Sequence, residues 1–90
     1  MIVIDDLIWD EWNIGHIKKH KVKPIEVEEA CENLLEVFRS YNSRLIILGK
    51  TNKKRILAII MAQIDKNSYY VVTARDASRK ERKLYENKIK

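Results

Sequence analysis

The spacing of apolar residues changes near residue 36. Before that point they recur at helical intervals. After it they form short runs rich in β-branched and aromatic residues. Residues 7–9, "LIW", are long enough only for a brief edge strand. Asp10 reads as a helix N-cap, and Trp9 before it could pair with Ile14 inside as a hydrophobic staple. The helix "EWNIGHIKKH" is short, and Gly15 weakens it. Ile14 and Ile17 point one way; Trp12, His16 and His20 share another side. Pro24 opens a second helix, where its missing N–H costs nothing. Val27, Ala30, Cys31 and Leu34 follow the spacing of a buried stripe. Glu26, Glu28, Glu29 and Glu32 make the rest of that helix acidic, and its first turns favour negative charge through the helix dipole.

The second half predicts four strands: "EVFRSY", "RLIILGKT", "RILAIIMAQI" and "SYYVVTA". The turn-like segments "NS", "TNKK" and "DKN" separate them, and such short connections favour antiparallel neighbours. The middle runs are apolar on both faces, which places them at the sheet centre with cover on each side. Ser78 and Glu81 then form the S-x-x-E pattern of a capping box, so a last helix starts near Arg79 with Leu84, Tyr85 and Ile89 as apolar anchors. The expected fold is α+β: two N-terminal helices, a four-stranded and mainly antiparallel sheet, and a C-terminal helix. The short N-terminal segment would add an extra edge strand.

Composition bounds the function class. Ninety residues with 46% hydrophobic and 34% charged side chains describe one globular domain spanning 1–90. Cys31 is the single cysteine, so no internal disulfide is expected. No signal peptide or membrane span is expected either, and the reading is a cytoplasmic protein. Charge is uneven. Residues 1–43 carry a balance of −4 and residues 44–90 a balance of +9, for a net +5. This suggests one face for an anionic partner and another for something else.

Two stretches resemble a known family. "WDEWNIGHIKKHKVKPIEVEEA" is similar to the opening of the BrnT toxin family, and "ARDASRKERKLYE" to its closing A-R-x-A-S-x-x-E-R-x-x-Y-E pattern. "RLIILGKT" lies between them, where the family has a strand ending in Leu-Gly. The resemblance covers about residues 5–87. It implies a RelE-like ribonuclease toxin of a type II toxin–antitoxin pair, cutting RNA without a metal or other cofactor to inhibit translation. The implied partners are RNA, including ribosome-associated mRNA, and an antitoxin with a ribbon-helix-helix domain. Two positions depart from the family. Lys21 replaces the usual Gly after the Lys-His pair, and Lys23 replaces the usual Ser or Thr N-cap of the second helix.

RNA cleavage without a metal must deprotonate the 2′-OH, stabilise the phosphorane and protonate the leaving oxygen. Arginine offers fixed charge and a planar fork for phosphate, and histidine exchanges a proton near neutral pH. Arg75 leads the catalytic candidates, because it sits where the last strand stops. Its bland alternative is a salt bridge to Asp76 or to an acid of the second helix. Arg79 and Arg82 share one side of the last helix; Arg79 joins the catalytic candidates and Arg82 the RNA-binding ones. Tyr85 could protonate the leaving oxygen, although a ring at this spacing more often packs on the sheet. Glu81 reads as a capping residue rather than a base. His20, matched with Lys19 to the family's Lys-His pair, is the imidazole candidate, set against a helix-end histidine bonding a carbonyl. Lys19, Arg44, Lys54, Arg55 and Arg82 could extend a track for RNA.

His16 and His20 have metal-ligand spacing, but without an HExxH motif or a second thiol that reading is weak. Trp9 and Trp12 could stack on bases, yet staple and core roles are favoured. Cys31 reads as buried filler. Arg75 and the helix after it are expected to converge beside one concave surface. The alternative is a non-catalytic RNA-binding or antitoxin-binding module on the same fold. An exposed sheet edge would leave room for a homodimer, though no residue demands one.

Overall fold

The computed structural model describes residues 4–40 and 42–89, with side chains as far as Leu84. The chain runs β1 (Asp6–Ile8), α1 (Glu11–Lys18), α2 (Pro24–Glu32), β2 (Leu34–Arg39), β3 (Arg44–Lys50), β4 (Ile56–Asp65), β5 (Ser68–Asp76) and α3 (Arg79–Ile89). The fold is α+β, but the sheet has five strands rather than four, in the order β1-β5-β4-β3-β2. β1 is the added edge strand and lies parallel to β5, with Leu7 opposite Tyr69; the other pairs are antiparallel. The segment is as brief as the sequence suggested, and its pairing depends on a partner some sixty positions away.

Local chemistry explains where the helices begin. At α1 the N–H of Asn13 donates to Asp10 Oδ1, and the N–H of Asp10 donates to Asn13 Oδ1, both at 2.8 Å. The Asn13 amide then donates to the carbonyls of Ile8 (2.9 Å) and Val71 (3.1 Å). One fully buried polar side chain thus ties α1 to the end of β1 and the middle of β5. At α2, Lys23 offers no oxygen cap, as the sequence indicated, and Glu26 instead accepts from the Lys23 N–H at 3.0 Å. The helix stops at Glu32, so Leu34 opens β2 and is exposed rather than part of a buried stripe.

The two faces of the sheet are covered unequally. Ile17, Val22, Val27 and Ala30, from α1, α2 and the loop between, pack on Ile47, Leu57, Ile59, Met61, Val71 and Ala74. On the other face, among the described residues, Leu48, Ala58 and Ala77 form a smaller buried cluster, with Leu35, Phe38 and Ile56 packed beside them. Gly49 permits the close seating of α2 on β3, because a Cβ there would run into the Ala30 carbonyl. Among the described residues, four that are not glycine take positive φ: Lys21 (59°), Asn42 (60°), Ser43 (57°) and Lys54 (68°). Among the described residues, no helix is long and apolar enough to cross a membrane.

Candidate functional site

The end of the sheet formed by the start of β4 and the end of β5 gathers the charged residues. β5 runs one residue past Arg75 to Asp76 before α3 begins. α3 opens with the expected box: Glu81 accepts from the Ser78 N–H at 2.7 Å, and the Glu81 N–H donates to Ser78 Oγ at 3.2 Å. This box aims the Glu81 carboxylate back at the strand. Arg75 meets it with two parallel bonds, Nη1 to Oε1 at 2.9 Å and Nη2 to Oε2 at 3.1 Å. A further bond from Nη1 reaches the Asp76 carbonyl at 3.2 Å. The Arg75 guanidinium, helped by the bonds from Ser78, holds the Glu81 carboxyl down at about 2. Glu81 is therefore an anion near neutral pH, which fits the capping role assigned from sequence.

Arg55 is the second centre. Its Nε donates to Asp76 Oδ1 at 2.6 Å, and Nη1 donates to both Glu26 oxygens at 3.2–3.3 Å and to the Lys21 carbonyl at 2.8 Å. Nη2 reaches the His20 carbonyl at 3.4 Å. One guanidinium thereby joins β4, β5, α2 and the α1–α2 loop. The salt bridges weighed for Arg75, to Asp76 and to an acid of the second helix, are made by Arg55 instead. Asp76 is lowered mainly by its bond to Arg55, with a smaller contribution from the charge of Arg82, so Arg82 borders the same cluster.

His20 enters the cluster through its backbone, and its ring lies edge-on to His16 with centroids 5.7 Å apart. His16 is stacked in turn on Trp12 at 5.2 Å, with planes 4° apart. Trp12 is 66% exposed, so it is neither core nor staple, whereas Trp9 packs against the main core. Lys19, Lys54 and Arg79 are exposed. The Tyr85 side chain lies outside the described residues. Arg44 stands apart: it pairs with Ala62 on β4, whereas Arg75 pairs with Ala58. Four strand positions separate them, roughly 13 Å.

Two open grooves lie among the described residues. One open groove lies at the far end of the sheet and includes Arg39, Arg44 and Lys66; another lies beside Lys50, Asn52 and Lys54. Neither is lined by Arg75, Arg79 or Arg82. The cluster forms a charged shoulder at this end of the sheet. Cys31 packs at the edge of the core, and burial, aided by Glu28 and Glu32, pushes its thiol up to about 12. It is thus an inert filler. Among the described residues, no three His, Cys, Asp or Glu side chains come together as a metal site.

Asn13 is the residue that sequence reasoning passed over. The available signal was the D-x-x-N spacing at the first helix start, a variant of the capping box.

No protein-family model and no curated protein matches the sequence. The chain is similar to the crystal structure of the ribonuclease toxin BrnT of Brucella abortus, at 27% sequence identity and a TM-score of 0.66. That similarity covers 82% of this chain and 97% of the other. The fold of this chain is BrnT-like.

Proposed function

We propose that the protein is an endoribonuclease toxin of a type II toxin–antitoxin pair that cleaves RNA without a metal and thereby inhibits translation. The observation that carries this reading is the likeness to a ribonuclease toxin over nearly its whole length. The basic C-terminal half gives it an electrostatic rationale, since RNA is a polyanion. A ribbon-helix-helix antitoxin would be the cognate partner.

In this proposal Arg75 contacts the scissile phosphate. Glu81 occupies both of its Nη atoms and fixes the plane of the fork, while the Nε–H has no partner among the described residues. A guanidinium held in this way keeps its charge and its direction before substrate arrives, which is how preorganised donors stabilise a developing oxyanion. Arg79 and Arg82 add charge from the first turns of α3. Arg55 acts as a positioning residue, because its donors serve Asp76, Glu26 and the loop carrying His20. His20 would accept the 2′-OH proton, with Lys19 beside it on phosphate, and Tyr85 would protonate the leaving oxygen. Lys54 and, farther off, Arg44 would hold flanking RNA.

The test is incubation of the purified protein with mRNA alone in EDTA and, separately, with mRNA on ribosomes in magnesium buffer. Discrete cleavage products in EDTA support the reading. Salt-sensitive binding with no product would instead favour a non-catalytic RNA-binding module.

A further inference from the structure

Trp12 is the most exposed of the large hydrophobic residues among those described, and it is not idle. Its indole lies parallel to the His16 imidazole, and His16 meets His20 edge-on, so three rings form a ladder along the outer side of α1. The ladder ends at the loop whose carbonyls bind Arg55, beside the charged shoulder. Helical spacing sets Lys19 on the same side as Trp12 and His16, at positions i, i+4 and i+7. Lys18, Lys21 and Lys23 are exposed close by. The His20 end of this face is cationic, the Trp12 end begins beside the exposed acids Asp10 and Glu11, and the flat surface between them is aromatic.

Gly15 completes the pattern. It stands one turn after Trp12, on the outward side of the helix. Its φ is not positive, and a Cβ there would meet nothing within 4 Å. Neither backbone conformation nor packing therefore requires glycine, although glycine weakens a helix. What the missing side chain leaves is open space against the helix beside the indole ring.

We infer that this face of α1, built on Trp12, Gly15, His16 and Lys19, is a stacking platform for unpaired nucleobases of single-stranded RNA. The choice of RNA rests on the ribonuclease reading; the platform itself rests on the ring geometry. Aromatic rings supply sequence-tolerant contact to bases, and neighbouring lysines track the phosphates. Substrate would then lie with its bases along α1 and its backbone passing onto the shoulder at Arg82 and Arg75. A parallel Trp–His pair could also serve only to stiffen a short helix, and the test separates the two.

The intact protein is titrated with an end-labelled, 2′-O-methylated single-stranded oligoribonucleotide, which binds without being cut, while the anisotropy of the label is followed together with tryptophan emission. An abasic oligomer of equal length is the control. Trp12→Leu tests the ring, and Gly15→Ala tests the open space. Binding is expected to quench the fluorescence, and Trp12→Leu to bind roughly tenfold more weakly. The abasic oligomer should bind the wild type about as weakly as the intact RNA binds Trp12→Leu. Gly15→Ala is expected to raise the melting temperature and yet to weaken binding, a combination that a purely structural role cannot produce. Wild-type affinity in both variants would overturn the platform, even if ordinary RNA were still cut. Base-dependent quenching without cleavage of ordinary RNA would sustain the platform and remove the ribonuclease reading. If Trp12→Leu lost a ribbon-helix-helix partner while RNA affinity stayed unchanged, the face would belong to a protein interface and the inference would fail.

Discussion

Arg75 at the end of β5 and Glu81 in the first turn of α3 are locked in a two-bond ion pair, at 2.9 and 3.1 Å. The pair joins the last strand to the last helix, and its two members have different consequences. Glu81 bears on stability, and Arg75 on the proposed chemistry.

Glu81 gives the protein an acid-sensitive component. Its carboxyl is lowered from 4.5 to about 2, so the folded state binds this proton less readily than the unfolded chain. The contribution is complete above about pH 4.5 and disappears as pH falls toward 2. Arg75 is partly open to solvent, which screens the pair, and the component should amount to about 1–2 kcal/mol. Urea unfolding of wild type and Glu81→Gln should show that difference at pH 7 and its loss near pH 2. Equal offsets at both pH values would contradict the assignment.

Lys21 sits in the left-handed region at φ 59°, a conformation that favours glycine. Its side chain carries a steric penalty there, although its carbonyl is needed by Arg55. Lys21→Gly keeps the carbonyl and relieves the strain, offset in part by glycine's greater freedom when unfolded. Stability should rise by about 0.5–1 kcal/mol, visible as a higher melting temperature.

Gly49 has the opposite constraint. A methyl group there would meet the Ala30 backbone, which belongs to a packed helix and has little freedom to retreat. Gly49→Ala should destabilise the protein by about 1–3 kcal/mol or more, through a shift of α2 away from β3. Chemical denaturation gives the magnitude, and amide exchange along α2 reports the displacement.

Arg55 should act as a tie between elements. Arg55→Met would leave Glu26 and Asp76 without their shared cation and the Lys21 carbonyl without its donor. A loss of about 1.5–3 kcal/mol is expected, with faster amide exchange concentrated in the α1–α2 loop. Uniform exchange changes across the molecule would argue against such a local role.

Much of the fold was legible in the sequence because local chemistry and tertiary structure agree. Asp10 and Ser78 cap helices where their spacing said they would, and the four longer strands occur where β-branched runs predicted them. The failures involve partners distant in sequence. β1 exists through pairing with β5, and Leu34 leaves its helical stripe because β3 captures it opposite Gly49. At the site, a row of cations in sequence does not say which acid each one meets. Arg55 takes the acids weighed for Arg75, because strand register, not proximity in the chain, brings Asp76 beside Arg55. Trp12 looked like core by its chemistry, and only the orientation of α1 shows that its ring faces out.

The account turns on Arg75 acting on RNA, so the rate of RNA cleavage by folded Arg75→Ala protein is its most direct measurement, with Glu81→Gln beside it. Loss of a fixed donor to a developing oxyanion should slow cleavage by roughly 100-fold or more. Glu81→Gln, which keeps the guanidinium, should retain most of the activity. Cleavage by Arg75→Ala at the wild-type rate, with circular dichroism showing an intact fold, would contradict the account.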